Sequence, residues 1–204
     1  MRPPDSLRAL DVAVSAAGLL LLWPVFVVIG IAIARSSPGP VLYKAVRVGR
    51  EGRPFVLYKF RTMVRSTAGH GPAITTAADP RVTPIGRFLR RTKLDELPQL
   101  ANVLKGEMSL VGPRPEDPHY VVLYTPEQRR VLEVRPGITG AASLEFRDEE
   151  SLLTEDWERR YIEEIMPTKL QIELDYLAHR SAASDLWILA RTALVLTGRG
   201  GSGA

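Results

Sequence analysis

Residues 12–34, VAVSAAGLLLLWPVFVVIGIAIA, carry no charged side chain. A bilayer span needs about 20 consecutive apolar residues, and this segment supplies them. A buried core helix normally keeps a polar stripe, and none is visible here. A secretory signal is a further reading, but the apolar run is long for one, and Arg35-Ser36-Ser37-Pro38 is not a small-x-small cleavage site. Pro24 stands at mid-segment, where it removes a backbone donor and crowds the preceding turn, so a bend is expected there. Both flanks are basic: Arg2 and Arg8 precede the segment, and Arg35, Lys44, Arg47, Arg50 and Arg53 follow it. Basic flanks favour the cytoplasmic side. A helix broken at Pro24, entering and leaving by one face, satisfies both; a kinked span is the alternative.

Outward from that segment the chain changes character. Ser36-Ser37-Pro38-Gly39-Pro40 is a breaker cluster and sets a boundary. The organisation expected is therefore a membrane helix over residues 1–36, a compact domain over 37–197, and a Gly-rich tail over 198–204. Val41 to Val48 reads as a strand, Gly49 to Gly52 as a turn, and Phe55 to Met63 as the return strand of a hairpin. Thr67 to Pro80 reads as a loop. Helices are expected over Ile85–Arg91, from near Asp95 to Lys105-Gly106, and over Thr154–Ile165, Lys169–His179 and Asp185–Leu196, with a short one opening at Pro126 or Glu127. Gly112 to Pro118 holds three prolines and must be irregular. The fold class is α+β, mainly helical, with one small β-hairpin. The last helix, rich in Leu and Trp, suits either a membrane surface or a packing face.

Composition removes several chemistries. There are no cysteines, which excludes disulfides, thiolate nucleophiles and cysteine-ligated zinc. The three histidines, His70, His119 and His179, share no ligand spacing. A formal charge of +4 suits anionic lipid, phosphorylated substrates or nucleic acid alike. Aromatics are only 7% and none interleaves with Arg87 to Arg91 as a base-stacking platform would, so no nucleic-acid partner is expected. The tail text Gly198-x-Gly200-x-x-Gly203 imitates a dinucleotide fingerprint but has no strand before it.

The densest chemistry lies between Arg87 and Pro115. Arg87, Arg90 and Arg91 share one helical face. Asp95 and Glu96 follow, and Pro98, comfortable only in a first turn, puts them at a helix N-terminus. Carboxylates and phosphates are both favoured there. Alone, the pair reads as simple capping. Adjacent residues point about 100° apart, so the two carboxylates would have separate tasks. Arg114 sits between Pro113 and Pro115, held stiffly, and arginine forks onto phosphate. Lys59 and Arg61 share one strand face.

These features coincide in one family. Tyr58-Lys59-Phe60-Arg61-Thr62-Met63, Asp79-Pro80-Arg81-Val82-Thr83, Leu94-Asp95-Glu96-Leu97-Pro98-Gln99-Leu100, the run from Asn102 to Pro115, and Arg135-Pro136-Gly137-Ile138-Thr139-Gly140 occur in the order and spacing of the bacterial sugar transferases. The chain resembles the small catalytic-core form of these monotopic polyprenyl-phosphate phosphoglycosyl transferases from the apolar segment to about Tyr176. The resemblance implies a re-entrant N-terminal helix and a catalytic domain on the cytoplasmic face of the bacterial inner membrane. It implies a UDP-sugar donor, a polyprenyl phosphate acceptor and Mg2+, and leaves room for a homodimer. Asp95 would be the nucleophile and a magnesium ligand, with Glu96 beside it in catalysis. Lys59, Arg61, Arg90 and Arg114 would bind substrate, Arg90 at the polyprenyl phosphate and Arg114 at a nucleotide phosphate. Three departures stand out. Trp23-Pro24 replaces a common Ser-Pro, Lys93 replaces a small residue, and Ala141 to Arg147 differs from the Trp-Ala-Gln text of many relatives. That last stretch is expected to bear on sugar choice. A membrane-anchored binding protein without chemistry is the rival reading, and it would not need Asp95.

Overall fold

A computed structural model describes residues 5–64, 79–146 and 157–196. The expected loop over Thr67–Pro80 and the tail over 198–204 therefore lie largely or wholly outside the described residues. Helix α1 runs from Asp5 to Ser36, with Pro24 inside it. Its exposed surface is apolar: Leu20 and Leu21 are each 74% exposed, Val28 66% and Trp23 61%. Only 11% of its most apolar window is buried, which sets aside the core-helix reading.

Strands β1 (Leu42–Val48) and β2 (Pro54–Phe60) form the expected hairpin, in antiparallel register with Tyr43 opposite Lys59. The return strand stops at Phe60, short of Met63, which instead bridges Val82. Beyond β2 the chain is held by side chains. The buried amide of Asn102 on α3 (Gln99–Lys105) accepts from Tyr58 N–H at 3.1 Å and donates to Val56 C=O at 2.7 Å. It completes the edge of β2 much as a neighbouring strand would.

Helix α2 (Pro84–Thr92) is longer than expected by one residue at each end. Thr83 caps it by accepting from Gly86 N–H at 3.0 Å. Gly86 lets α2 lie against the strand exit, since a Cβ there would meet Thr62 C=O at 2.0 Å. The second expected helix does not begin near Asp95. Lys93 ends α2 in the left-handed region, Leu94–Glu96 form a 3₁₀ turn, and the α-helix starts at Gln99. Pro98 has no N–H to return to Leu94, and Leu97, Leu100 and Ala101 instead donate to the Leu94, Leu97 and Pro98 carbonyls in the tighter i→i−3 pattern.

Strands β3 (Ser109–Val111) and β4 (Gly137–Thr139) pair in parallel, a contact the sequence reading did not foresee. Each is three residues long, too short to display alternation. Short helices α4 (Pro118–Val121) and α5 (Ala141–Glu145) were likewise unforeseen, and the short helix expected to open at Pro126 or Glu127 is 3₁₀ over Gln128–Glu133. The two helices expected over Thr154–Ile165 and Lys169–His179 are one rod: α6 (Trp157–Arg160), a π-turn over Tyr161–Ile165, and α7 (Met166–Ala178). Pro167 has no N–H for the Glu163 carbonyl, and the widened turn before it avoids that mismatch. Helix α8 (Ala182–Leu196) closes the described chain. The largest core among the described residues gathers Val48, Tyr120, Val131, Tyr161 and Leu170, joining the end of β1 to α4, the π-turn and α7.

Both ends of α1 are tied to the rest of the molecule. Near its start, Arg8 donates to Val103 C=O at 2.7 Å, and Asp11 accepts from Ser109 Oγ at 2.6 Å and Leu110 N–H at 3.0 Å. Near its end, Ile29 and Ile33 pack on Phe60 and Leu89. Arg61 donates there to Ser37 C=O at 2.6 Å and Pro38 C=O at 3.1 Å.

Candidate active site

The 3₁₀ turn after α2 places Asp95 and Glu96 side by side and buried, 7% and 8% exposed. Their surroundings differ. Glu96 Oε1 accepts from Lys59 Nζ at 2.8 Å and from Arg114 Nη2 at 3.0 Å. Burial alone would raise its carboxyl, but Arg114 and Lys59 outweigh that and hold it far below the usual carboxylate range. Burial in turn pushes the Lys59 ammonium down, against the pull of Glu96. Glu96 is thus a fixed anion that orders two cations.

Asp95 has no such pair. Its Oδ1 is buried and has no hydrogen-bond partner among the described residues. Burial pushes its carboxyl up, Lys59 pulls it back, and the Glu96 charge pushes it up again. A desolvated, unpartnered carboxylate oxygen keeps its lone pairs available, as an oxygen nucleophile or a metal ligand requires.

Arg90 turns inward from α2. Its Nε donates to Thr62 Oγ1 at 3.0 Å, and Nη2 lies 3.2 Å from Met63 Sδ. Its charge favours an ionised Asp95. Arg87 and Arg91, expected on the same stripe, are exposed. Arg114 reaches Glu96 from the Pro113-Pro115 turn with its side chain 42% exposed. The structure therefore brings Lys59, Asp95, Glu96 and Arg114 together, with Arg90 close enough to act on Asp95 by charge. Arg61 lies elsewhere: the residue is 8% exposed, and its guanidinium donates to the Ile33 and Ser37 carbonyls where α1 ends. Gly39, at φ 121°, makes room, since a Cβ there would meet Arg61 Nη1 at 2.3 Å.

Among the described residues no group of three or more His, Asp or Glu converges as an all-protein metal cage. Magnesium is bound through one or two carboxylates plus substrate phosphates, and the free Asp95 Oδ1 fits that pattern.

Sequence reasoning missed Glu173. It lies on α7 and is 3% exposed. Met166, Leu170 and Glu173 follow the 4-then-3 spacing of a buried stripe. A glutamate interrupting that stripe was the available signal.

Residues 6–199 match the model of the family described as Bacterial sugar transferase, and the chain belongs to that family. A UDP-glucose:undecaprenyl-phosphate glucose-1-phosphate transferase of Escherichia coli (strain K12) is 38% identical over 91% of this chain and 39% of its own length. The uncharacterized sugar transferase EpsL of Bacillus subtilis (strain 168) is 41% identical over 87% of this chain and 81% of its own. A UDP-N-acetylgalactosamine-undecaprenyl-phosphate N-acetylgalactosaminephosphotransferase of Aeromonas hydrophila is 35% identical over 95% of this chain and 44% of its own. The chain thus spans about two fifths of the length of the first and third of these relatives.

Proposed function

We propose that the chain transfers a sugar 1-phosphate from a UDP-sugar to polyprenyl phosphate, of which undecaprenyl phosphate is the bacterial form, releasing UMP. The observation that carries the reading is the buried pair in which Glu96 is locked by Lys59 and Arg114 while Asp95 keeps a free oxygen. Two relatives whose names state this reaction class, with glucose and with N-acetylgalactosamine, support it.

Asp95 Oδ1 attacks the sugar-bearing phosphorus. The bond from that phosphorus to the bridging oxygen breaks, and UMP leaves with the electron pair. A phosphosugar-aspartyl anhydride remains. A polyprenyl phosphate oxygen then attacks the same phosphorus, the aspartyl–phosphorus bond breaks, and Asp95 returns as a carboxylate. An anionic nucleophile and an anionic diphosphate repel, so cations must face both. Arg114 and Lys59, ordered by Glu96, serve the donor phosphates, and Arg90 the acceptor phosphate. Asp95 would hold magnesium together with donor phosphate oxygens, and the ion would supply further charge neutralisation. Two steps at one carboxylate make turnover ping-pong. The step opens assembly of a bacterial glycoconjugate.

The membrane placement belongs to the same reading. Nucleotide sugars are cytoplasmic, so the catalytic domain faces the cytoplasm. Arg8 and Asp11 at one end of α1, and Ser37 at the other, bind that same domain, which supports a re-entrant α1 with both ends on one side.

Asp95→Asn should lower turnover by at least roughly 10³-fold. Wild-type protein given the correct UDP-sugar without acceptor should gain one phosphosugar in intact-mass analysis, and the variant none. Because burial raises the Asp95 carboxyl, the acid limb of kcat/KM should lie above the ordinary aspartate range, activity falling as pH falls through it. A variant that turns over normally would remove Asp95 from the chemistry and restore the binding-protein reading.

A further inference from the structure

Behind Arg114 lies a pocket that the phosphate chemistry does not use. Val131, Pro136, Met166 and Leu170 form apolar walls, and Arg114 and Glu173 also line it. Arg114, 42% exposed, marks the open side, and Glu173, 3% exposed, the buried end. Glu173 Oε1 accepts from Ala142 N–H at 3.0 Å and so caps α5. Its Oε2 is buried and has no hydrogen-bond partner among the described residues. Glu116, also on the lining, is already engaged: Oε2 accepts from Tyr161 Oη, and Oε1 from Asp117 N–H at 2.8 Å.

We propose that this pocket holds the nucleobase of the donor, with Glu173 Oε2 accepting the N3–H of uracil. The proposal rests on the donor being a UDP-sugar. Arg114 joins the pocket to Glu96 and hence to Asp95, so nucleophile, phosphate cation and pocket follow the order of sugar phosphate, second phosphate and nucleoside in such a donor. Apolar walls with one open acceptor suit a flat heterocycle with one N–H donor. A sugar, polar around its rim, would leave hydroxyls unpaired against Val131 and Leu170. Burial pushes the Glu173 carboxyl up to about 7, a strain that a bound N–H would relieve.

Calorimetric titration of the purified full chain with UMP, N3-methyl-UMP and CMP tests this. UMP should bind, and the other two should bind at least about tenfold more weakly, because one blocks N3 and the other presents an acceptor there. Glu173→Gln, with its amide N–H turned to the pocket, should lose affinity for UMP and gain it for CMP. Equal binding of all three nucleotides to the wild type overturns the nucleobase assignment, and needs no variant if Glu173→Gln fails to fold. Unchanged UMP affinity in a folded Glu173→Gln with a raised KM for the UDP-sugar also overturns it, and gives the pocket to the sugar. Absence of UMP binding, together with no turnover of any UDP-sugar, instead removes the functional reading on which the assignment rests.

Discussion

Arg114 and Arg61 are both arginines of the matching family text, yet they do opposite things. Arg114 is half exposed and meets Glu96 Oε1; Arg61 is buried and gathers several carbonyls at the end of α1. A partly exposed ion pair contributes about 0–1 kcal/mol, whereas stripping the partner from buried acceptors costs about 1–3 kcal/mol for each group left unpaired. Arg114→Ala should therefore cut kcat/KM by roughly 10²-fold or more while moving Tm by no more than about 2–4 °C. Arg61→Ala should show the larger Tm loss. Differential scanning calorimetry beside a UMP-release assay separates the two, and a large Tm loss for Arg114→Ala would make it a residue of the fold.

At the scale of elements, the hairpin was legible because alternation and a Gly-rich turn mark it, and α1 because an uncharged run of that length has few soluble uses. The break between α2 and α3 was half legible: Pro98 was noticed, but the 3₁₀ turn over Leu94–Glu96, after which the α-helix starts only at Gln99, was not. The β3–β4 pair and the Glu173 pocket were not legible, since both arise from residues distant in the chain with no local period. In the site, Asp95, Glu96, Lys59 and Arg114 were named in advance; that Glu96 alone takes both cations depends on three-dimensional placement. The contact of α2 with the strand exit rests on one glycine, and Gly86→Ala should cost about 1–3 kcal/mol, read as a lower urea midpoint with unchanged slope. Helix α8 packs on the domain by one face and leaves an apolar face exposed. Asp185, Ile188 and Thr192 face the domain, Thr192 Oγ1 lying 2.8 Å from Thr139 Oγ1, while Leu186, Trp187 and Leu194 are more than half exposed. An interfacial helix buries such a face in lipid. In protein with Trp23 and Trp157 replaced by Phe, lipid-borne quenchers should dim Trp187; unquenched emission would leave that face to water.

For the whole molecule, the contacts at both ends of α1 bear on the proposed membrane placement. With Arg8 bound to Val103 and Asp11 bound to β3, the N-terminus cannot lie across the membrane from the catalytic domain without giving up these contacts. A cysteine at Ser6, in a chain that otherwise has none, should resist an impermeant periplasmic reagent in intact cells. Pro24→Leu should straighten the helix and make some copies reactive. Labelling of the Ser6 cysteine with Pro24 in place would rule out the hairpin. The same contacts also order events in time. Asp11 and its partner Leu110 are 99 positions apart, so on the ribosome the apolar helix is made long before anything exists to hold its first turns. At about 5–20 residues per second the interval is roughly 5–20 s. If α1 is re-entrant as proposed, its first turns have only their flanking charge to hold them on one side during that interval, and the contacts of Arg8 and Asp11 latch the orientation late.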